Sequence, residues 1–129
     1  MITYVDLLGK EFTWGGRGPE SYDCYGLCIE LAKRNGQEIP NSAWSEKPEE
    51  IDALLEVGYK KGFVKVDVPE VGDFVTFKLR PPFVSHVGVI INTTPVEFLH
   101  ITKGTKVSRE RIDSLIWIKK LAGFYRWIK

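Results

Sequence analysis

Three residues in this 129-residue chain could carry covalent chemistry together: Cys24 and the two histidines, His86 and His100. Cys24 opens an apolar run in which Leu27, Cys28, Leu31 and Ala32 recur at helical spacing, which places it in the first turn of a helix. The unpaired amides and dipole of a helix N-terminus stabilise negative charge, so a thiol there is biased toward the thiolate, the form that attacks. His86 begins the stretch HVGVII and His100 lies in FLHIT. Side chains alternate along a strand, so His86, Gly88 and Ile90 share one face, as do Phe98, His100 and Thr102. If these strands form a hairpin over residues 92–96, both imidazoles share a face only when paired residue numbers sum to an even value. A slip of one residue turns one ring away. In the even register the set is that of a thiol hydrolase. His86 takes the thiol proton and later protonates the leaving amine, His100 orients His86, and helix-start amides hold the oxyanion.

Each residue also has an ordinary structural use. Cysteine is among the most often buried side chains, and a strand histidine is commonly just hydrogen-bonded. The chemical reading rests on three positions fitting one geometry. A metal site is the formal alternative, since Cys24, Cys28, His86 and His100 make a Cys2His2 set. The helical Cys-x-x-x-Cys and the distant histidines lack the close ligand pairs of structural zinc sites, so no metal and no other cofactor is expected.

The elements that must position these residues follow from pattern and punctuation. Gly15, Gly16, Gly18 and Pro19 hold residues 12–23 in a turn-rich loop before the cysteine. The cysteine helix runs to about Asn35, with Gly36 as its stop. A short helix capped by Thr3 is expected before Gly9. A third is expected with Ser45 as cap, Pro48 in its first turn, Ile51, Leu54 and Leu55 on its apolar face, and Gly58 as terminator. From residue 63 the period changes to that of strands: 63–68, 74–79, 84–91 and 96–102, with a turn or brief helix over 108–114 and further extended segments at 116–118 and 124–128. The fold class is α+β, with N-terminal helices packed on a mainly antiparallel β-sheet. Trp14, with Tyr4, Phe12, Trp44, Trp117 and Trp127, is expected to fill core, and the charges of 103–111 to form a solvated face.

Composition bounds the remaining classes. With 43% hydrophobic and 27% charged residues and no repeat or linker, residues 1–129 read as one globular domain. A net charge of +1, with no basic stripe interleaved with aromatics, gives no support for nucleic-acid binding. The start, MITYVDLLGKEF, has neither a basic n-region nor a long apolar stretch, so no signal peptide and no membrane insertion are expected. Cys24 and Cys28 fall on one helix face, where a bridge would be strained, so both are read as thiols.

The segments WGGRGPESYDCYGL, VGDFVTF, SHVGVII and FLHIT, in this order, resemble the NlpC/P60 cysteine peptidases across residues 12–126. The resemblance implies a papain-like fold and hydrolysis of peptidoglycan stem peptides at the bond between D-γ-glutamate and the diamino acid. It makes Cys24 the nucleophile, His86 the base and His100 the orienting residue. Asp23 would hold the substrate's free amino end or, on its own chemistry, cap the helix. Phe12 stands where many members have a tyrosine, so Tyr22 and Tyr25 are the nearby hydroxyl candidates, and Tyr25 replaces a small serine beside the nucleophile. Arg17 is a candidate for a substrate carboxylate, and Ser85, beside His86, for a further substrate contact. Glu70 and Val71 replace the usual Pro-Gly before Gly72 and Asp73. The compact form ending in Gly-Phe-Tyr-Arg resembles peptidases of bacteriophage tails, which implies tail proteins as partners. A non-catalytic tail-assembly module and a thiol amidase or acyl transferase share these residues and stay open as alternatives.

Overall fold

The helix that begins at Cys24 and the strand that begins at His86 lie against each other, and their apolar residues explain why. The computed structural model describes residues 2–41, 46–59 and 61–129. Helix α1 spans Cys24–Arg34, and its face of Leu27, Cys28 and Leu31 is at most 1% exposed. Asn35 caps its end, and Gly36 takes up the left-handed conformation (φ +74°) that lets the chain turn away. Helix α2 spans Pro48–Tyr59, with proline in its first turn where the missing N–H costs nothing. Ile51 and Leu55 are buried, but Leu54 is 37% exposed and does not belong to the inward face. Ser45 and Trp44 lie outside the described residues.

The expected first helix is a single 3-10 turn, Val5–Leu7, and Thr3 does not cap it: Tyr4 holds the capping position without a side-chain bond. Four residues between Tyr4 and the positive-φ Gly9 are too few for a regular α-helix to propagate. Strands β1 (Glu11–Phe12) and β2 (Ser21–Tyr22) form a short parallel pair that closes the loop before α1. The remaining strands are β3 (Phe63–Val66), β4 (Phe74–Phe77), β5 (His86–Thr93), β6 (Val96–His100), β7 (Ser108–Arg111) and β8 (Leu121–Trp127). They make one antiparallel sheet in the order β3-β8-β4-β5-β6-β7.

Two expectations fail in the last third. Residues 108–111 are a strand, β7, and not a turn or brief helix. It is the sheet's edge, where arginines and glutamate can sit in water and so hide the alternation. Residues 116–118 are a turn and not extended: Trp117 is buried while Ile116 and Ile118 stay in solvent, so the apolar triplet plugs the core with one ring only.

The sheet has an apolar layer on each face. Val87, Val89 and Leu99 pack under α1, while Val75, Phe77, Ile90, Phe98, Ile112 and Trp117 form a second cluster. The turn into β4 is tied to β8 by Asp73, whose carboxylate accepts from Arg126 Nε at 2.9 Å and Nη2 at 2.8 Å. The Gly-Asp and Phe-Tyr-Arg segments therefore belong to one clamp, remote in sequence and joined in space.

The β5–β6 hairpin decides where the histidines point. Next to the turn the paired numbers sum to an odd value, with Thr93 opposite Val96 and Asn92 opposite Glu97. The register shifts at Ile91, and beyond it the sum is even, with Ile90 opposite Phe98 and Val89 opposite Leu99. That bulge is what puts His100 on the same face as His86. His100 then lies across from Gly88, where a side chain would meet Leu99 O at 2.9 Å, Phe98 Cδ2 at 3.0 Å and His100 Cβ at 3.2 Å. Gly88→Ala is expected to destabilise the protein by about 2 kcal/mol through overpacking. Gly123→Ala, which meets only the flexible Lys65 end at 3.2 Å and Tyr125 ring atoms from 3.4 Å, should cost less than half as much. Urea denaturation of the two variants checks the order.

Candidate active site

Cys24 owes its place to the residue before it. Asp23 is the N-cap of α1 and its side chain is fully buried, so its carboxylate needs donors. It accepts from Gly26 N at 2.7 Å, Gly15 N at 3.0 Å and Arg17 Nη1 at 2.8 Å. Arg17 in turn donates to Gly16 O and Asn41 Oδ1, both at 2.9 Å, and lies 5.8 Å from the centre of the Tyr25 ring. Gly26 completes the joint, because a Cβ there would collide with the Gly16 carbonyl oxygen. The glycine-rich loop is thus locked onto the helix start with Cys24 at its end, 6% exposed.

The histidines form a buried pair. His86 Nε2 and His100 Nδ1 are 2.8 Å apart, and the two residues are 2% and 3% exposed. Burial, reinforced by the neighbouring His100, holds the His86 pKa well below its ordinary 6.5. Burial also lowers that of His100, with the Glu110 hydrogen bond acting the other way. His100 Nε2 lies 3.2 Å from Glu110 Oε2, which also accepts from Trp117 Nε1 at 3.2 Å. Trp117 packs edge-on to His100, with ring centres 4.6 Å apart. Sequence reasoning assigned Glu110 to a solvated face. The alternation of Ser108 and Glu110 along β7, continued by buried Ile112 just past its end, could have found it.

Cys24, Ser85 and His86 line one cleft of about 270 Å³. Its walls are Phe12 and Trp14 from the loop, Pro48 and Ile51 of α2, Leu79 and Arg80 after β4, and Ile101, Thr102 and Lys103 after β6, with Glu46 also present. Arg80, Lys103 and Glu46 carried no sequence signal of their own, because long loops bring them there. Trp14 is not core filling: it lines the cleft, stands edge-on to Phe12 at 4.9 Å, and its buried Nε1 has no hydrogen-bond partner among the described residues.

The other candidates lie outside the cleft lining. Tyr22 is 2% exposed, and burial raises its phenol pKa. The Tyr25 hydroxyl donates to Pro40 O. Arg17 and Asp23 bond each other, so the capping geometry occupies the carboxylate that the resemblance gave to substrate. Cys28 is wholly buried, and burial pushes its thiol pKa well up, which makes it unreactive. Among the described residues no group of three or more histidine, cysteine or acidic side chains could hold a metal ion, and no helix is long and apolar enough to cross a membrane.

These features define an α+β papain-like domain, with a cysteine at a helix start lining the same cleft as a strand histidine. The NlpC/P60 family model matches residues 9–126, and the chain belongs to that family. Solved structures agree in fold. An NLP/P60-family protein from Staphylococcus aureus, described as similar to a lipoprotein, matches at 20% identity and TM-score 0.67, over 95% of this chain and 38% of that one. An NlpC/P60 protein from Bacillus cereus matches at 21% and 0.70, over 95% and 37%. The NlpC/p60 domain of the peptidoglycan hydrolase SagA matches at 19% and 0.56, over 92% and 87%. The chain spans less than half the length of the first two proteins. No curated protein sequence matches it.

The buried imidazoles make stability pH-dependent in a defined direction. Both folded pKa values lie below the ordinary 6.5, so the unfolded chain takes up protons first as pH falls. Their neutral, packed form is fully compatible with folding above pH 6.5 and loses ground below it, by up to about 1.4 kcal/mol per pH unit for each ring. Urea midpoints are expected to drop between pH 7.5 and 5.5, before carboxylates titrate; an unchanged midpoint would contradict the burial of neutral rings.

Proposed function

We propose that this chain is a cysteine peptidase acting on peptidoglycan stem peptides, with the D-γ-glutamyl-diamino acid bond as its target. The observation that carries the reading is the shared cleft of Cys24 and His86, with His86 held from behind by His100 at 2.8 Å. His86 Nε2 is engaged by His100, so Nδ1 is the nitrogen left to serve the thiol. It takes the Cys24 proton as the sulfur attacks the scissile carbonyl carbon. The resulting oxyanion accepts from backbone amides at the start of α1. His86 then gives its proton to the departing amine, and water, activated by the same ring, releases the acyl group from Cys24.

The cleft suits a substrate of mixed charge. Arg80 and Lys103 in the lining suit carboxylates, and Glu46 suits an amino group, which are the groups a stem peptide carries. Family membership and the fold shared with a peptidoglycan hydrolase domain support the same substrate class. Ser85 is the sequence-predicted substrate contact that also lines the cleft. The tail-associated setting rests on the sequence resemblance, and immunodetection in purified virions tests it: presence supports it and absence removes it.

The experiment on activity is mass spectrometry of L-Ala-γ-D-Glu-diaminopimelate peptides incubated under reducing conditions. Wild type is expected to cleave after the γ-glutamyl residue, and Cys24→Ala to lose at least roughly 10³-fold in rate. His100→Ala should retain partial activity, since it acts through His86. Folded wild-type protein that leaves the peptides intact would favour an amidase on another substrate or an assembly role.

A further inference from the structure

We propose that Glu110 is a positioning residue that fixes where the protons sit in the His100–His86 pair, so that Nδ1 of His86, the nitrogen not engaged by His100, is bare. This rests on the reading of Cys24 and His86 as the reacting pair, and its test does not depend on knowing the substrate. Trp117 Nε1 carries a hydrogen and no lone pair, so the Glu110 oxygen it meets at 3.2 Å is an acceptor. The same oxygen lies 3.2 Å from His100 Nε2, which therefore bears a hydrogen. A neutral His100 protonated at Nε2 has a lone pair at Nδ1. His86 Nε2, 2.8 Å away, must then donate to it, and a neutral His86 protonated at Nε2 is bare at Nδ1.

The opposite arrangement closes the site. With its proton on Nδ1, His100 would donate to His86 Nε2 and leave the His86 proton on Nδ1, where no thiol proton could be accepted. Two neutral imidazoles at this distance permit both arrangements, and nothing between the rings prefers one. Phe98 and Trp117, with centres 4.7 and 4.6 Å from that of His100, and Phe77, 5.7 Å from His86, hold the ring planes but offer no charge. Glu110 decides between the two. It reaches the pair from edge strand β7, directly opposite Phe98, and it is not part of the cleft lining. When His86 becomes positive, the carboxylate beyond His100 also stabilises that charge.

The test is ¹⁵N NMR of the imidazoles in the full chain at neutral pH, with Glu110→Gln and Glu110→Ala as variants. In wild type, His100 is expected to show a protonated Nε2 and a bare Nδ1. Both variants should shift toward a mixture of the two forms. On a cleaved substrate, kcat should fall roughly ten- to a hundredfold, by analogy with removing a carboxylate behind a metal-bound histidine, with KM little changed. Glu110→Gln keeps the side chain's shape, and thermal melts separate any folding defect from the effect on protons. A wild-type His100 protonated at Nδ1, or the wild-type pattern persisting in both variants, would overturn the proposal. An inactive wild type with the expected ¹⁵N pattern would instead count against the peptidase reading and leave Glu110's role standing.

Discussion

The hydrogen bond between His86 and His100 depends on one inserted residue. The hairpin leaves its turn in a register that would send the two rings to opposite faces, and the bulge at Ile91 corrects it. The bulge carries Ile91 into the layer beneath α1, so it is anchored by burial on the side opposite the histidines. Gly88 then keeps the space in front of His100 clear. Deep burial of two neutral rings is costly unless each polar nitrogen is matched, and the short contact between them meets part of that demand. The rest falls to Glu110 on the next strand.

A second constraint works at the helix start. A carboxylate with no exposure is tolerable only with charge-assisted donors, and Asp23 has two backbone amides and the Arg17 guanidinium. Those bonds draw residues 15–17 against α1 and leave the cysteine at the rim of the cleft. Removing one partner would strand the other, so the loop and the helix stand or fall together. Residues that lie adjacent to the cysteine in sequence therefore build its seat. Beyond Phe12 and Trp14 of that loop, the cleft walls come from distant segments: α2, the loop after β4 and the segment after β6.

Much of this was legible in the sequence, for identifiable reasons. The cysteine helix and the strands starting at His86 and Val96 announced themselves through strong apolar periodicity, and the family followed from ordered motifs. The requirement that the histidines share a face was also legible, but the bulge that satisfies it was not, since nothing in HVGVIINT marks one extra residue. Glu110 was hidden because an edge strand of alternating arginine and glutamate looks like solvated surface. Trp14 was misplaced because an aromatic ring in a glycine-rich loop serves a core and a cleft wall equally well by composition. Arg17 looked like a free cation, and only the fold shows the buried carboxylate that takes it.

The proposed chemistry turns on Cys24 being activated by His86 across the cleft they share. The most direct measurement is peptide-mapped alkylation of the folded protein with limiting iodoacetamide at neutral pH, in wild type and in His86→Ala. Cys24 should react faster than a free cysteine and Cys28 not at all, with the Cys24 advantage lost when the imidazole is removed. Alkylation of Cys24 at the rate of an ordinary thiol, unchanged in His86→Ala, would rule out activation of the thiol by His86.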